Sequence, residues 1–204
     1  AKGWLVGELN KGMKAMFIMM NGARLFVGIQ GLGLSEVAYQ SALYYAKERL
    51  QGKAAIENPN RTDQILVHPE IRKNLLYIKA VNEGIRGLML YTGLKYDLAN
   101  LSDDDKIVNH SNNFVALMTP ILKSYASDIS IETTYKSLQI YGGHGYIHDH
   151  GIEQFARDAR ITTIYEGTNG IQALDLIGRK MQMDNGQLII NLFKEIDDYI
   201  NQIN

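Results

Sequence analysis

The sequence predicts an all-α protein that is built from a few long helices, and three observations support this. The 204-residue chain contains 3 prolines, and apolar residues recur at three- and four-residue spacing in the stretches between them. Hydrophobic residues make up 46% of the chain and charged residues 21%, which is typical of a folded globular protein. We therefore expect an antiparallel helix bundle with crossing connections.

The first long helix is predicted from about Gly12 to Leu50, after a strand and turn in the first eight residues. Its apolar residues cover several faces, so it should be buried on more than one side. Gly28, Gly31 and Gly33 lie within it. They indicate close packing against a neighbouring helix, because no strand precedes them and their order is not that of a dinucleotide-binding loop.

Two further long helices are expected in the middle of the chain. A loop is predicted from Gln51 to Val67, and Pro69 suits the first turn of the second helix. The segment from Leu101 to Asp105 supplies a cap and an acidic first turn for the third helix. This helix should end near Gly142-Gly143 and be kinked at Pro120.

The last part of the chain has shorter elements. A polar helix is predicted from about Gly151 to Asp158, and an apolar, β-branched segment from Ile161 to Tyr165 resembles a strand. Gly167-Thr168-Asn169-Gly170 should then open a helix that continues to about Met181. An amphipathic helix is expected from Leu188 to Ile203.

The composition excludes several classes of function. The formal net charge is −1, so the chain lacks the basic excess with which proteins bind nucleic acid or an anionic membrane. With 0 cysteines, it can form neither a disulfide scaffold, a thiolate zinc site nor an iron–sulfur cluster, and it has no cysteine nucleophile. No run of eighteen or more apolar residues is present, so we expect no membrane span.

One cluster of possible metal ligands follows the third helix. His144, His148, His150, Asp149 and Glu153 have the imidazole and carboxylate groups that bind zinc or iron. Histidines in a glycine-rich turn are more often surface or hydrogen-bonding residues, and the spacing matches no helical pair of ligands. We therefore predict no metal site.

Glu166 is the carboxylate with the clearest catalytic potential. It follows the strand-like segment, which Arg157, Asp158 and Arg160 precede. A lone carboxylate in such a place is either a member of a structural ion pair or a tuned base. The residue pattern alone leaves both interpretations open.

Three motifs, in this order, resemble the acyl-CoA dehydrogenase family. They are Gln139-Ile140-Tyr141-Gly142-Gly143-His144-Gly145-Tyr146, then Arg157-Asp158-Ala159-Arg160-Ile161, then Ile164-Tyr165-Glu166-Gly167-Thr168-Asn169-Gly170-Ile171-Gln172. Asn21-Gly22-Ala23-Arg24 is similar to the start of that family's C-terminal helical domain. The resemblance covers essentially the whole chain and implies a four-helix, up-and-down type bundle.

The resemblance also implies a domain organisation. Tyr45 to Gly52 and Leu66 to Arg72 resemble the larger bacterial branch of the family, which includes 3-methylmercaptopropionyl-CoA dehydrogenases. Residues 1–15 are then expected to be the tail of a central β domain and residues 16–183 the helical bundle. Residues 184–204 should form an amphipathic helix that leads to a further C-terminal region. Together with the absence of an initiator methionine, this implies that the chain is a fragment of a longer enzyme.

The activity implied by the resemblance is α,β-dehydrogenation of acyl-CoA thioesters. Glu166 matches the family's base, which removes the α-proton while the β-hydride passes to flavin N5. Some relatives carry the base just before the arginine that matches Arg24, but Ala23 occupies that position here and cannot accept a proton. Arg24, Tyr165 and Gly167 are the implied substrate-binding residues.

The implied cofactor is FAD. The residues that match its binding positions in the family are Arg49, Gln139, Gly142, Gly143, Thr168 and Asn169. The first four resemble residues that meet the pyrophosphate and adenosine parts of a neighbouring subunit's FAD. The other two open a helix, whose free backbone N–H groups suit a position near the flavin.

The resemblance further implies a cytoplasmic homo-oligomer, a dimer or tetramer, that passes electrons to an electron-transfer flavoprotein. Two alternatives remain at this point. The chain could act only as a helical assembly module, or it could belong to a noncatalytic or oxidase relative, because a fold alone does not fix a reaction. An isolated fragment without the other domains is expected to be inactive.

Overall fold

The structure, a computed structural model, describes residues 1–53 and 62–203 and is helical along most of this length. The helices are α1 (Gly12–Glu48), α2 (Pro69–Leu101), α3 (Asp105–Tyr141), α4 (Ile152–Ile161), α5 (Asn169–Gly178) and α6 (Gln187–Ile203). Short 3-10 helices cover Ile65–Val67, Gly142–Tyr146, His148–His150 and Lys180–Gly186. No β-strand occurs in the described residues, where a single bridge pairs Leu50 with Gln64. The predicted all-α class is therefore confirmed.

The three long helices run up, down and up. The end of α1, the start of α2 and the end of α3 meet in one core cluster, formed by Ala42, Ala46, Ile65, Leu75, Ile78 and Ile140. Their middle sections meet in a second cluster, formed by Leu32, Ile85, Met89, Phe114, Leu117, Met118, Leu122, Ala126 and Ile129. Side chains of α5 and α6 pack against the second cluster, and they complete the bundle on that side.

The sequence signals at the helix starts are confirmed. Pro69 occupies the first turn of α2, where its missing N–H costs nothing. The Asp104 side chain accepts a hydrogen bond from the Lys106 N–H at 2.8 Å and caps α3. α3 is one continuous helix through Pro120, which is buried.

Two of the three glycines of α1 allow it to approach α3 closely. A Cβ atom on Gly31 would lie 2.9 Å from the Ala126 carbonyl oxygen, and one on Gly28 would lie 3.3 Å from the Leu122 carbonyl oxygen. These contacts confirm that the glycines serve helix packing. Gly33 faces open space instead, so its role was not the one predicted.

Replacing Gly31 by alanine should force α1 away from α3, because the obstructing atom belongs to the backbone. We expect the free energy of unfolding to fall by about 1–3 kcal/mol in denaturant titrations. Gly33→Ala is the matched control, and its better helix propensity should leave stability unchanged or raise it by up to ~1 kcal/mol. Equal effects of the two substitutions would contradict this account of the α1–α3 contact.

Both strand-like segments turn out not to be strands. Residues 1–6 have no regular secondary structure, because no neighbouring strand in the described residues can pair with them. Residues 161–165 continue the last turn of α4 instead. There Thr162 and Thr163 donate their hydroxyls to the carbonyls of Ala159 and Arg160, which replaces the pairing of a sheet.

Three other boundaries differ from the predictions. α1 ends at Glu48, and α5 ends at Gly178 rather than near Met181, after which the chain forms the 3-10 helix. Residues 54–61 of the loop predicted from Gln51 to Val67 lie outside the described residues. Its last three residues form a 3-10 helix.

α1 is long and apolar enough to cross a membrane by length and composition alone, although no unbroken apolar run marks it in the sequence. Core helices of soluble proteins meet the same criterion. In the middle of α1, Val27 and Leu32 are buried inside the protein.

Candidate active site

Glu166 lies on a tight turn between α4 and α5. Its φ is +57°, and that of Gly167 is +86°, so two consecutive residues adopt the left-handed conformation. For a residue with a Cβ this conformation costs about 1–2 kcal/mol. Such strain persists only where the surroundings hold the backbone in place, and it occurs often at functional sites.

Buried side chains hold this turn through its backbone carbonyls. The Glu166 carbonyl accepts hydrogen bonds from Arg24 Nε at 3.3 Å and from Gln172 Nε2 at 3.4 Å. Gln172 Nε2 also donates to the Gly167 carbonyl at 3.0 Å. A Cβ atom on Gly167 would lie 2.8 Å from the same Gln172 nitrogen, and the positive φ favours glycine at this position.

The side chain of Glu166 has an unsatisfied acceptor. Its Oε2 atom is buried and has no hydrogen-bond partner among the residues that the structure describes, and in the same range the carboxylate forms no ion pair. A buried polar atom without a partner requires an explanation, and a site for an incoming proton is one. Of the two interpretations of Glu166, this geometry favours the base over the structural ion pair.

Arg24 supports the turn from α1. Its side chain is 6% exposed, and Nη1 forms an ion pair with Asp175 Oδ2 at 3.2 Å, where Asp175 is 9% exposed. Arg179 binds the other oxygen of Asp175 at 2.7 Å. Arg24 thus joins the carboxylate on α5 to the backbone of Glu166. In this structure it supports the turn of residues 166–169, called the base turn below. Its predicted contact with substrate stays a prediction.

Asn169 connects the turn to α3. Its Oδ1 accepts from Lys123 Nζ at 2.9 Å, while Nδ2 donates to Ser127 Oγ at 2.9 Å and to Asp128 Oδ1 at 2.8 Å. Because the side-chain amide is fully engaged with α3, only backbone groups of Asn169 are left to meet a cofactor. Thr168 is exposed and caps α5, with Oγ1 accepting from the Ile171 N–H at 3.4 Å.

Tyr165 lies on the other side of Glu166. Its hydroxyl donates to Gln30 Oε1 on α1, so its ring is anchored next to Glu166. The structure therefore brings five of the predicted residues together around one turn. They are Arg24, Tyr165, Glu166, Gly167 and Asn169, and Thr168 adjoins them.

A second group of predicted residues lies at the far end of α1. Arg49, Gln139 and Gly142 line an open groove of about 350 Å³ together with His68, and Gly143 follows on the exposed turn. Arg49 Nη2 donates to Gln51 Oε1 at 3.5 Å, and the guanidinium has no acidic partner in the part of the chain that the structure describes.

The two groups are far apart within one molecule. Arg24 and Arg49 are 25 residues apart along α1, which corresponds to about 37 Å at 1.5 Å per residue. One copy of the chain therefore does not bring all of the predicted cofactor-binding residues to one place.

Three residues that surround the turn of residues 166–169 have roles that the sequence did not reveal. Lys123, Gln172 and Asp175 are all buried or nearly so and bind the turn or its arginine. Gln172 belongs to the third motif, so its proximity to Glu166 was a usable signal. Asp175 lies 151 positions from Arg24, and no local pattern reports such a pair.

The histidines after α3 have other partners. His144 Nδ1 shares a hydrogen bond with the Tyr45 hydroxyl at 2.6 Å, and His148 Nδ1 pairs with Glu153 at 2.7 Å. Among the described residues, no three His, Cys, Asp or Glu side chains are grouped as metal ligands.

Comparisons with known proteins agree with this architecture. Residues 10–182 match the family model for the acyl-CoA dehydrogenase C-terminal domain. The chain is 41% identical over 187 residues to 3-methylmercaptopropionyl-CoA dehydrogenase from Ruegeria pomeroyi, covering 92% of the chain and 32% of that protein. It is 37% identical to the broad-specificity linear acyl-CoA dehydrogenase FadE5 from Mycobacterium tuberculosis, covering 98% of the chain and 33% of that protein.

The solved structure of butyryl-CoA dehydrogenase from Megasphaera elsdenii superimposes with a TM-score of 0.69 at 29% identity, covering 86% of this chain and 40% of that one. The chain thus spans about a third of the length of the curated relatives named above. The resemblance to the branch with 3-methylmercaptopropionyl-CoA dehydrogenases is confirmed. The family model covers most of the chain and the relatives share its helices, so this chain belongs to the acyl-CoA dehydrogenase family and contains the family's C-terminal domain.

Proposed function

We propose that the whole protein dehydrogenates acyl-CoA thioesters between their α and β carbons, with Glu166 as the catalytic base. One observation carries the proposal. A carboxylate oxygen is buried without a hydrogen-bond partner among the described residues, on a strained turn that two buried side chains fix in place. Similarity to proteins named acyl-CoA dehydrogenases supports the substrate class.

The chemistry requires a base that is held firmly. The α-proton of a thioester is weakly acidic, so the base must lie within hydrogen-bond reach of it and must not move during the transfer. Arg24 and Gln172 fix the backbone of Glu166, and Tyr165 is tied to α1 beside it. The proton moves to the Oε2 atom, and the C–H electron pair remains with the substrate to form the new double bond.

FAD, when bound, supplies the acceptor for the β-hydrogen and its electron pair. Members of this family are flavoproteins, and donors at the far end of α1 and at the start of α5 suit the phosphate groups of FAD. Arg49 offers a planar guanidinium, which has no acidic partner among the described residues, to a pyrophosphate, and the amide of Gln139 lines the same groove. Gly142 and Gly143 leave the adjoining backbone accessible, and Thr168 presents a hydroxyl at the N-terminus of α5.

The distance between the two groups of residues supports a homo-oligomer. Because about 37 Å of helix separates Arg24 from Arg49, the groove of one copy is proposed to meet the cofactor bound at the base turn of a neighbouring copy. A dimer is the smallest assembly that allows this, and a tetramer contains two of them. An electron-transfer flavoprotein as acceptor and a cytoplasmic location belong to the same proposal.

The test is anaerobic bleaching of the flavin absorbance in the FAD-loaded whole protein by a series of acyl-CoA thioesters. Rapid bleaching by some members of the series is the expected result, and their order of rates ranks the acyl groups. If acyl-CoA binds but never bleaches the flavin, the dehydrogenase proposal is wrong and a noncatalytic role replaces it.

A further inference from the structure

The chain contains three Asn-Gly pairs, and the structure places them in three different environments. They are Asn21-Gly22 in α1, Asn169-Gly170 at the start of α5, and Asn185-Gly186 between α5 and α6. Asparagine loses ammonia most readily before glycine, because glycine has no side chain that hinders attack by its backbone nitrogen. The three pairs share this chemistry, so any difference between their rates of ammonia loss must come from the fold.

Two of the pairs are held in geometries that oppose the reaction. Asn21 and Gly22 lie inside α1, where the helical backbone commits each N–H to the carbonyl four residues earlier. At the start of α5, the Asn169 side-chain amide is tied to α3 by hydrogen bonds with Lys123, Ser127 and Asp128. That amide must rotate toward the next backbone nitrogen before it can react, so these bonds would first have to break.

The third pair has neither protection. Asp184, Asn185 and Gly186 have φ values of +51°, +52° and +82°, so three consecutive residues adopt the left-handed conformation. This conformation is unfavourable for residues with a Cβ atom, although asparagine and aspartate tolerate it best. Asn185 is exposed, and its side chain makes no hydrogen bond with any residue that the structure describes. Its amide can therefore rotate in solvent.

We propose that Asn185 is a site of spontaneous deamidation and that the fold restricts the reaction to this one of the three pairs. The Gly186 backbone nitrogen gives its proton to hydroxide and attacks the side-chain carbonyl carbon of Asn185. The bond from that carbon to the amide nitrogen then breaks and ammonia leaves. Water opens the resulting five-membered succinimide at its side-chain carbonyl to give aspartate, or at its backbone carbonyl to give isoaspartate. This inference goes beyond the proposed function and does not depend on it.

The reaction changes the connection between α5 and α6. Either product replaces a neutral amide by a carboxylate directly after Asp184. Isoaspartate also adds one carbon to the backbone just before α6, whose Ile189 and Leu192 pack against the second core cluster. At Asn169 the same reaction would replace the amide that donates to Asp128 by a second negative charge. The contacts of Asn169 with α3 therefore protect the base turn from this damage.

The test is to incubate the FAD-loaded whole protein at mildly alkaline pH, where hydroxide accelerates the reaction, and to follow the three pairs by peptide mass spectrometry. Deamidation raises the mass of a peptide by about 1 Da. A methyltransferase that is specific for isoaspartate labels that product separately. We expect both signals at Asn185, at a rate at least ~10-fold above the rates at Asn21 and Asn169, because these two react only after local unfolding.

The unfolded chain provides the matched control. In concentrated urea the protection by the fold is lost, so the three pairs should deamidate at similar rates. Asn185→Gly provides the second control, because glycine adopts a positive φ without strain and carries no amide. In the folded protein, this variant should lose the isoaspartate label from the peptide that carries residue 185.

Equal rates at the three pairs in the folded protein, or a faster reaction at Asn21 or Asn169 than at Asn185, would overturn the proposal. So would an Asn185 that stays intact in the folded protein but reacts in urea, because the turn would then be protected like the other two pairs. None of these measurements involves flavin reduction. Failure of the proposed function is therefore detected separately, by the absence of bleaching with acyl-CoA.

Discussion

Replacing Glu166 by glutamine should lower the rate of flavin reduction by acyl-CoA at least ~100-fold, the usual contribution of a positioned general base. Glutamine keeps the size of the side chain, and the two hydrogen bonds that fix the turn use backbone carbonyls, which the substitution leaves in place. Only the proton acceptor is removed. The measurement is single-turnover bleaching of FAD in the whole protein under anaerobic conditions, with substrate affinity followed separately.

Glu132→Gln is the matched control. Glu132 is an exposed glutamate on α3 that accepts from the Tyr77 hydroxyl at 2.9 Å and pairs with Lys136, and it makes no recorded contact with the turn that carries Glu166. The Glu132→Gln protein should show flavin reduction by acyl-CoA at the wild-type rate. A Glu166→Gln protein that bleaches as fast as this control would show that the base is another residue.

The long helices could be predicted because their signals are local. Pro69 and the acidic segment before α3 mark helix starts, and the apolar spacing between them is that of a helix. The strand-like pattern from Ile161 to Tyr165 does not form a strand, because a local pattern does not show whether a partner strand is present. β-branched residues favour a strand only where a partner strand exists, and here the threonine hydroxyls bond to the preceding helical turn instead.

The candidate site was only partly accessible from the sequence. Glu166 could be identified from its motif, but its left-handed backbone could not, because glutamate rarely adopts that conformation and tertiary contacts impose it. The ion pair of Arg24 with Asp175 and the hydrogen bond of Lys123 with Asn169 join residues that are distant in sequence. Such pairs follow from how the helices pack, which periodicity does not specify.

These long-range contacts give the three helices at the site different roles. α5 carries the base turn, while α1 and α3 hold it from two sides, through Arg24 and through Lys123. The backbone of Glu166 is therefore only as rigid as the packing of the bundle. Stability and activity should be coupled most strongly at the residue that carries the largest buried charge contact, which is Arg24.

Arg24→Met should destabilise the protein strongly. Methionine is similar in length but carries no charge, so Asp175 keeps only the more exposed Arg179 as a partner, and the Glu166 carbonyl loses a donor. Removing one member of a buried ion pair costs about 3–5 kcal/mol. For a domain of this size we expect the unfolding temperature to fall by roughly 6–20 °C, measured by circular dichroism or calorimetry.

Arg86→Met is the comparison that isolates burial. Arg86 pairs with Glu36 at 2.9 Å, but the two side chains are 47% and 27% exposed, so solvent screens their attraction. Its loss should cost less than about 1 kcal/mol and shift the unfolding temperature by less than ~4 °C. If the two variants unfold at the same temperature, the Arg24–Asp175 pair does not stabilise the base turn, and the turn must owe its strained backbone to Gln172 and to the contacts of Asn169 with α3.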